Sequence, residues 1–169
     1  ATTEIYTLSL HDALPICGMG TRVKNSVGIW AFGGNATRFM PRGYHPDAVT
    51  ETMVDKTRRA VDGLGDLVDG FEYHYPGELN EQNVSQIQAA LGEKDIYALA
   101  LGLFSEPRFA LGTFTNPDPA KRREVIRITK AGVDLAADIG AHFIIWPGGD
   151  GYNYRYRRNL TLEEGGISG

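Results

Sequence analysis

Residues 71–101 read FEYHYPGELNEQNVSQIQAALGEKDIYALAL, and this stretch decides the fold. Phe71-Glu72-Tyr73-His74-Tyr75 alternates aromatic and polar side chains with the period of two that a strand requires, and Pro76-Gly77 stops it. A helix is expected from near Asn80. Val84, Ile87 and Leu91 recur at the spacing of one helix face, and Gly92 sits just past the C-terminus, where glycine is favoured. Ile96-Tyr97-Ala98-Leu99-Ala100-Leu101 is then a nearly continuous apolar run of strand length. Strand, helix and strand in about 30 residues make a βαβ unit, whose strands lie parallel.

The same alternation extends in both directions. Upstream, Val27–Phe32 reads as a strand ended by Gly33-Gly34. Asp47 is a helix N-cap candidate, with Val54, Val61, Leu64 and Val68 on one helical face, and Asp69-Gly70 breaks that helix. Downstream, a long loop from Gly102 to Pro119 carries several aromatic residues. A helix over 120–139 follows, with Val125, Ile128, Leu135 and Ile139 on its apolar face, and His142–Trp146 reads as a fourth strand ended by Pro147-Gly148-Gly149. The order β-α-β-α-β-α-β implies parallel strands joined by right-handed crossovers.

A doubly wound sheet and a closed barrel both fit such units. No G-x-G-x-x-G follows the first strand, so a dinucleotide fold has little support. In a barrel the active site forms from loops at the C-terminal ends of the strands. Trp30–Gly33, His74–Pro76, the 102–119 loop and Trp146–Gly151 all fall at that end and carry aromatic rings, glycines and a histidine. The expected fold class is therefore α/β: the N-terminal half of a (β/α)8 TIM barrel, parallel strands alternating with helices, truncated. A whole barrel needs about 250 residues and eight strands.

The ends carry separate expectations. Residues 1–16, ATTEIYTLSLHDALPI, back-translate to a common short-read sequencing-library adapter whose last base fits a Cys17 codon. The stretch lacks the basic region and unbroken apolar core of a signal peptide. Residues 1–17 are thus expected to be a non-natural, adapter-derived segment, so that His11 and Asp12 hold no functional interest. Residues 18–159 are the partial barrel, and residues 160–169 a disordered or out-of-frame tail, because Glu163-Glu164-Gly165-Gly166 continues no amphipathic helix.

Composition excludes several classes. The chain is 42% hydrophobic and 22% charged, as ordinary globular domains are. A net charge of −4 argues against a nucleic-acid surface. No apolar run approaches the ~20 residues of a membrane span, and Cys17, the single cysteine, supports neither a disulfide framework nor a cysteine zinc site. No nucleic acid, no membrane and a cytoplasmic setting are expected.

Strand periodicity sorts the candidate residues. Phe71, Tyr73 and Tyr75 point toward the helices, while Glu72 and His74 point into the barrel, His74 near the catalytic rim. His74 is the catalytic candidate, and a hydrogen-bonded structural histidine is the plainer reading of it. Trp30, Phe104 and Trp146 are substrate-binding candidates. Aromatic rings take the apolar face of a sugar, and glycines beside each tryptophan let backbone approach a ligand; core packing is the alternative. Asp150 lies in a turn where a carboxylate bonds its own backbone. Asp118 marks a helix start, and Lys121-Arg122-Arg123 is expected to meet a local carboxylate or the loop rather than phosphate.

Several of these segments resemble xylose isomerases. Gly28-Ile29-Trp30 resembles their first-strand Gly-Leu-Trp, and Tyr73-His74 their Phe-His-Asp segment. Leu103-Phe104-Ser105-Glu106-Pro107-Arg108-Phe109, with Phe114-Thr115-Asn116, Asp118 and Arg122-Arg123, is similar to their Leu-Phe-Thr-His-Pro-x-Phe stretch and its continuation. Trp146-Pro147-Gly148-Gly149-Asp150-Gly151 is similar to Trp-Gly-Gly-Arg-Glu-Gly.

The resemblance implies a metal-dependent aldose–ketose isomerase in which His74 assists ring opening and Trp30, Phe104 and Trp146 form an aromatic wall. It also implies a divalent metal (Mg²⁺, Mn²⁺ or Co²⁺) and homo-oligomerisation for a full-length parent. The metal ligands would come from later strands, so none is expected in this chain, which is expected to be inactive. The family's acid after the histidine is Tyr75 here, and Glu72 or Glu78 is left to orient His74; Gly149 and Asp150 depart as well. A sugar epimerase, an inosose-type isomerase and a non-catalytic sugar-binding module remain as alternatives.

Overall fold

The computed structural model describes residues 23–34 and 50–146. The expectations for residues 1–17, for Asp47, for Asp150 and for the tail at 160–169 lie outside the described residues. Within them the chain forms β1 (Ser26–Gly28), α1 (Met53–Leu64), β2 (Gly70–Tyr75), α2 (Val84–Leu91), β3 (Asp95–Leu101), α3 (Pro119–Asp138) and β4 (His142–Ile144). The four strands pair in sequence order, all parallel. This is the α/β alternation of half a TIM barrel, and the sheet does not close.

Parallel register puts Gly28, Glu72, Ala98 and His142 in one row and His74, Ala100 and Ile144 in the next, on the face that a barrel turns inward. The opposite face carries Phe71, Tyr73, Tyr75, Leu99 and Leu101, all buried in one cluster with Ala60 of α1, Ile87 and Leu91 of α2, and Val125, Ile128 and Leu135 of α3. Burying one such side chain contributes about 1.5–3 kcal/mol. The polar tips find partners: Tyr73 Oη lies 3.1 Å from Thr57 Oγ1, and Tyr75 Oη donates to Glu81 at 2.7 Å. At Gly132 of α3 a Cβ would lie 2.7 Å from both the Tyr75 and Phe143 rings, so the missing side chain lets helix and sheet come together.

Several boundaries differ from those read in the sequence. β1 ends at Gly28, and Ile29–Phe32 is a 3-10 turn rather than strand, because Ile29 drops fully into the core and Gly33 N–H closes onto Trp30 C=O at 3.2 Å. The N-cap of α1 is Thr52, not Asp47. Thr52 Oγ1 accepts the Asp55 N–H at 3.1 Å, which caps the helix, and donates to the Asp55 carboxylate at 2.6 Å. The helix stops at Leu64, since Gly65 takes φ 50; Val68 lies beyond a second 3-10 turn, though still in the core.

α2 begins at Val84, as side-chain bonds from Asn83 to the Asn80 N–H and from Asn80 to the Gln82 N–H hold residues 80–83 in a turn. Its end at Gly92, with φ 64, is where the sequence puts it. α3 starts at Pro119, with Asp118 capping the Ala120 N–H at 2.8 Å. β4 covers three residues rather than five, the length that pairs with β3. A bulge leaves Tyr97 of β3 opposite no residue of β2, an irregularity that periodicity does not announce.

Candidate functional site

The C-terminal ends of β1, β2 and β3 bring three rings together. His74, the next-to-last residue of β2, stands on the inward face. The Trp30 ring lies against it at a centroid distance of 4.3 Å, and Phe104, from a 3-10 turn after β3, meets it edge-on at 5.6 Å. Two glycines make this possible. A Cβ at Gly28 would fall 2.2 Å from the Trp30 ring, and one at Gly102 would fall 2.8 Å from the His74 Cβ. Trp30 and Phe104 are 39% and 45% exposed, more than core aromatics show, so both present ring surface to the open side of the sheet.

Glu78 holds the histidine. After β2 the chain turns through Pro76-Gly77, and the Glu78 and Leu79 N–H groups both donate back to the His74 carbonyl, at 2.8 and 3.1 Å. Asn80 and Asn83 donate to the Pro76 and Glu78 carbonyls, and Leu79 is fully buried, so the turn is pinned from both sides. Glu78 Oε2 thereby accepts the His74 N–H at 2.7 Å and lies 3.0 Å from Nδ1. An ionised carboxylate only accepts, so Nδ1 carries the proton and a neutral ring keeps Nε2 as an acceptor.

Of the two acids left open for this role, Glu72 is committed elsewhere, accepting the Ser26 hydroxyl at 2.7 Å. Tyr75 stands on the helix-packed face. Burial, with the hydrogen bond to Glu81, pushes its phenol up to about 12. The clue to Glu78 in the sequence is the Pro-Gly turn, which returns the chain toward the strand end.

Trp146 follows β4, is 56% exposed, and makes no ring contact with Trp30, His74 or Phe104 among the described residues. Phe109 is buried beneath Arg108 and Lys121, while Arg108 pairs with both Glu106 and Glu124 and so ties the β3–α3 loop to the helix. Arg122 donates to the Asn116 and Pro117 carbonyls, which is a loop contact as expected. A cavity of about 140 Å³ lies at the opposite, N-terminal ends of the strands, lined by Lys24, Ser26, Asp69, Asp95 and Tyr97, away from the ring cluster.

Among the described residues no three His, Cys, Asp or Glu side chains gather to hold a metal ion. The cation that the resemblance implies has no ligand set among the described residues. No described helix is long and apolar enough to cross a membrane.

Comparison with known proteins adds to this geometry. A stretch of 79 residues is 35% identical to the xylose isomerase of Thermus thermophilus, covering 45% of this chain and 20% of that protein. Over that stretch the chain is similar to xylose isomerases. The xylose isomerase of Thermus caldophilus is 34% identical over 79 residues, and that of Solibacter usitatus 30% identical over 82 residues, 48% of this chain. The xylose isomerase-like stretch spans about a fifth of the length of these relatives, 20% and 18% of the last two. No family model matches the chain.

Proposed function

We propose that this chain is the N-terminal part of an aldose–ketose isomerase, with His74 the catalytic residue and Trp30, Phe104 and Trp146 the sugar-facing rings. The observation that carries the reading is the His74 imidazole, held at Nδ1 by Glu78 and flanked by Trp30 and Phe104 at the C-terminal rim of a parallel sheet. The similarity to xylose isomerases supports the substrate class.

In this reading the apolar face of the sugar packs on Trp30 and Phe104. His74 Nε2 meets the ring oxygen or the anomeric hydroxyl and moves a proton there as the ring opens. Glu78 keeps the imidazole in the required tautomer and stabilises it when it takes up that proton, the part a carboxylate plays beside a catalytic histidine. A divalent metal (Mg²⁺, Mn²⁺ or Co²⁺) would supply Lewis-acid chemistry in the full-length parent, which we take to be a cytoplasmic homo-oligomer acting on a small sugar. Residues 18–159 make up the partial barrel in this proposal, and the chain alone is inactive.

The test is an aldose panel on the full-length parent, with each of the three metals. Formation of the ketose supports the reading; formation of the epimer alone would make it an epimerase of the same fold. His74→Gln is expected to lower kcat/KM on cyclic aldoses by about 10²–10⁴, the range general acid–base catalysis contributes. An unchanged kcat/KM would remove His74 from the mechanism.

A further inference from the structure

The aim of Trp30 depends on a contact outside the ring cluster. Arg59 lies on α1 between buried Thr57 and Ala60, so its backbone is fixed against the core. Its guanidinium grips the Glu51 carboxylate with two bonds, Nε at 2.8 Å and Nη2 at 2.7 Å. Nη2 also donates to the Phe32 carbonyl at 2.9 Å. Phe32 is the last residue of the turn that carries Trp30, and Glu51 stands just before the N-cap of α1. One side chain thus joins the two ends of the β1–α1 connection. A forked, charge-assisted bond of this kind fixes geometry as a single point charge does not.

We propose that Arg59 is a positioning residue of the rim: by holding Glu51 and the Phe32 carbonyl at once, it locks the turn that lays Trp30 against His74. The physical need is plain. Trp30 follows β1 by two residues, and that strand pairs over only three, Ser26 to Gly28, so the sheet alone holds the turn weakly. Ile29 anchors its start in the core and Phe32 packs partly buried against the same core, while the Phe32 carbonyl takes its bond from Arg59. The hydrogen bond from Arg59 also holds the Glu51 carboxyl below its ordinary value. The inference rests on Trp30 and His74 forming the sugar-facing rim, but it can be tested without sugar or metal.

The experiment is NMR on the whole chain, reading the His74 imidazole protons, assigned by their loss in His74→Gln. Their ring-current displacement by Trp30 is defined against Trp30→Ala. In Arg59→Met, with far-UV circular dichroism unchanged, most of that displacement is expected to vanish. Arg59→Lys, which keeps the charge and loses the fork, should fall between. A merely structural Arg59 would lower the urea midpoint and leave the displacement as it was, and that result overturns the proposal. Should Arg59→Met not fold, Glu51→Gln breaks the same pair at a milder site, with the same two outcomes. Because no turnover is measured, failure here leaves the isomerase reading standing, and failure of the isomerase reading leaves this one.

Discussion

The two faces of the sheet are built from alternate residues of the same strands, yet they behave differently. On the helix-packed face Phe71, Tyr73, Leu99 and Leu101 are fully buried, and the tyrosine hydroxyls are partnered within the chain. On the inward face stand Glu72, His74 and Ile144, the last 41% exposed, over a floor of Gly28, Ala98 and Ala100. One face is complete by itself. The other mixes small residues with Glu72, two histidines and Ile144, and holds the His74 imidazole between the Trp30 and Phe104 rings. Stability is therefore concentrated on one side of the sheet and chemistry on the other.

The sharpest way to break that comparison is truncation on each face. Phe71→Ala should cost about 3–5 kcal/mol in urea unfolding, as large-to-small changes in a packed aromatic core do. A cost under about 1 kcal/mol would mean that the helix-packed face is not the seat of stability.

Alkali should act on the same face next. Burial raises the Tyr73 phenol to about 12, and burial with Glu81 does the same for Tyr75. Both folded values lie above the ordinary value near 10 of an unfolded chain, so the neutral phenols stabilise the fold fully below about pH 10. That contribution is lost as the pH rises toward 12. Phenolate absorbance and far-UV circular dichroism should change together in that window, and two phenols titrating with the exposed ones while the fold persists would contradict the assignment. The smallest effect belongs to the inward face. Glu72→Ala removes the Ser26 bond and should cost about 1 kcal/mol or less by urea unfolding, the scale of one partly exposed hydrogen bond.

How much of this was legible in the sequence varies with the range of the interaction. The alternation of Phe71, Tyr73 and Tyr75 with Glu72 and His74 identified both faces of β2, because side-chain direction along a strand repeats every second residue whatever surrounds it. Gly92 marked the end of α2 for a similarly local reason, its positive φ. The cap of α1 fell instead to Thr52, whose hydroxyl is the one that reaches the Asp55 N–H. The shortening of β1 was not legible. Val27–Phe32 is apolar throughout, and only the burial of Ile29 against other elements turns the chain into a 3-10 path.

The candidate site divides in the same way. That His74 faces inward at the rim follows from strand period and from the stop at Pro76-Gly77, both properties of adjacent residues. Which acid holds it does not. Glu72 and Glu78 are chemically alike, and the choice came from a turn folding Glu78 onto the strand end while Ser26, on a neighbouring strand, occupied Glu72. The gathering of Trp30 and Phe104 on the imidazole likewise needed three strand ends brought side by side, with Gly28 and Gly102 leaving space. Local backbone preference and periodicity act between near neighbours and can be read along the chain. Contacts between distant residues are selected by packing, and packing exists only once the chain has folded.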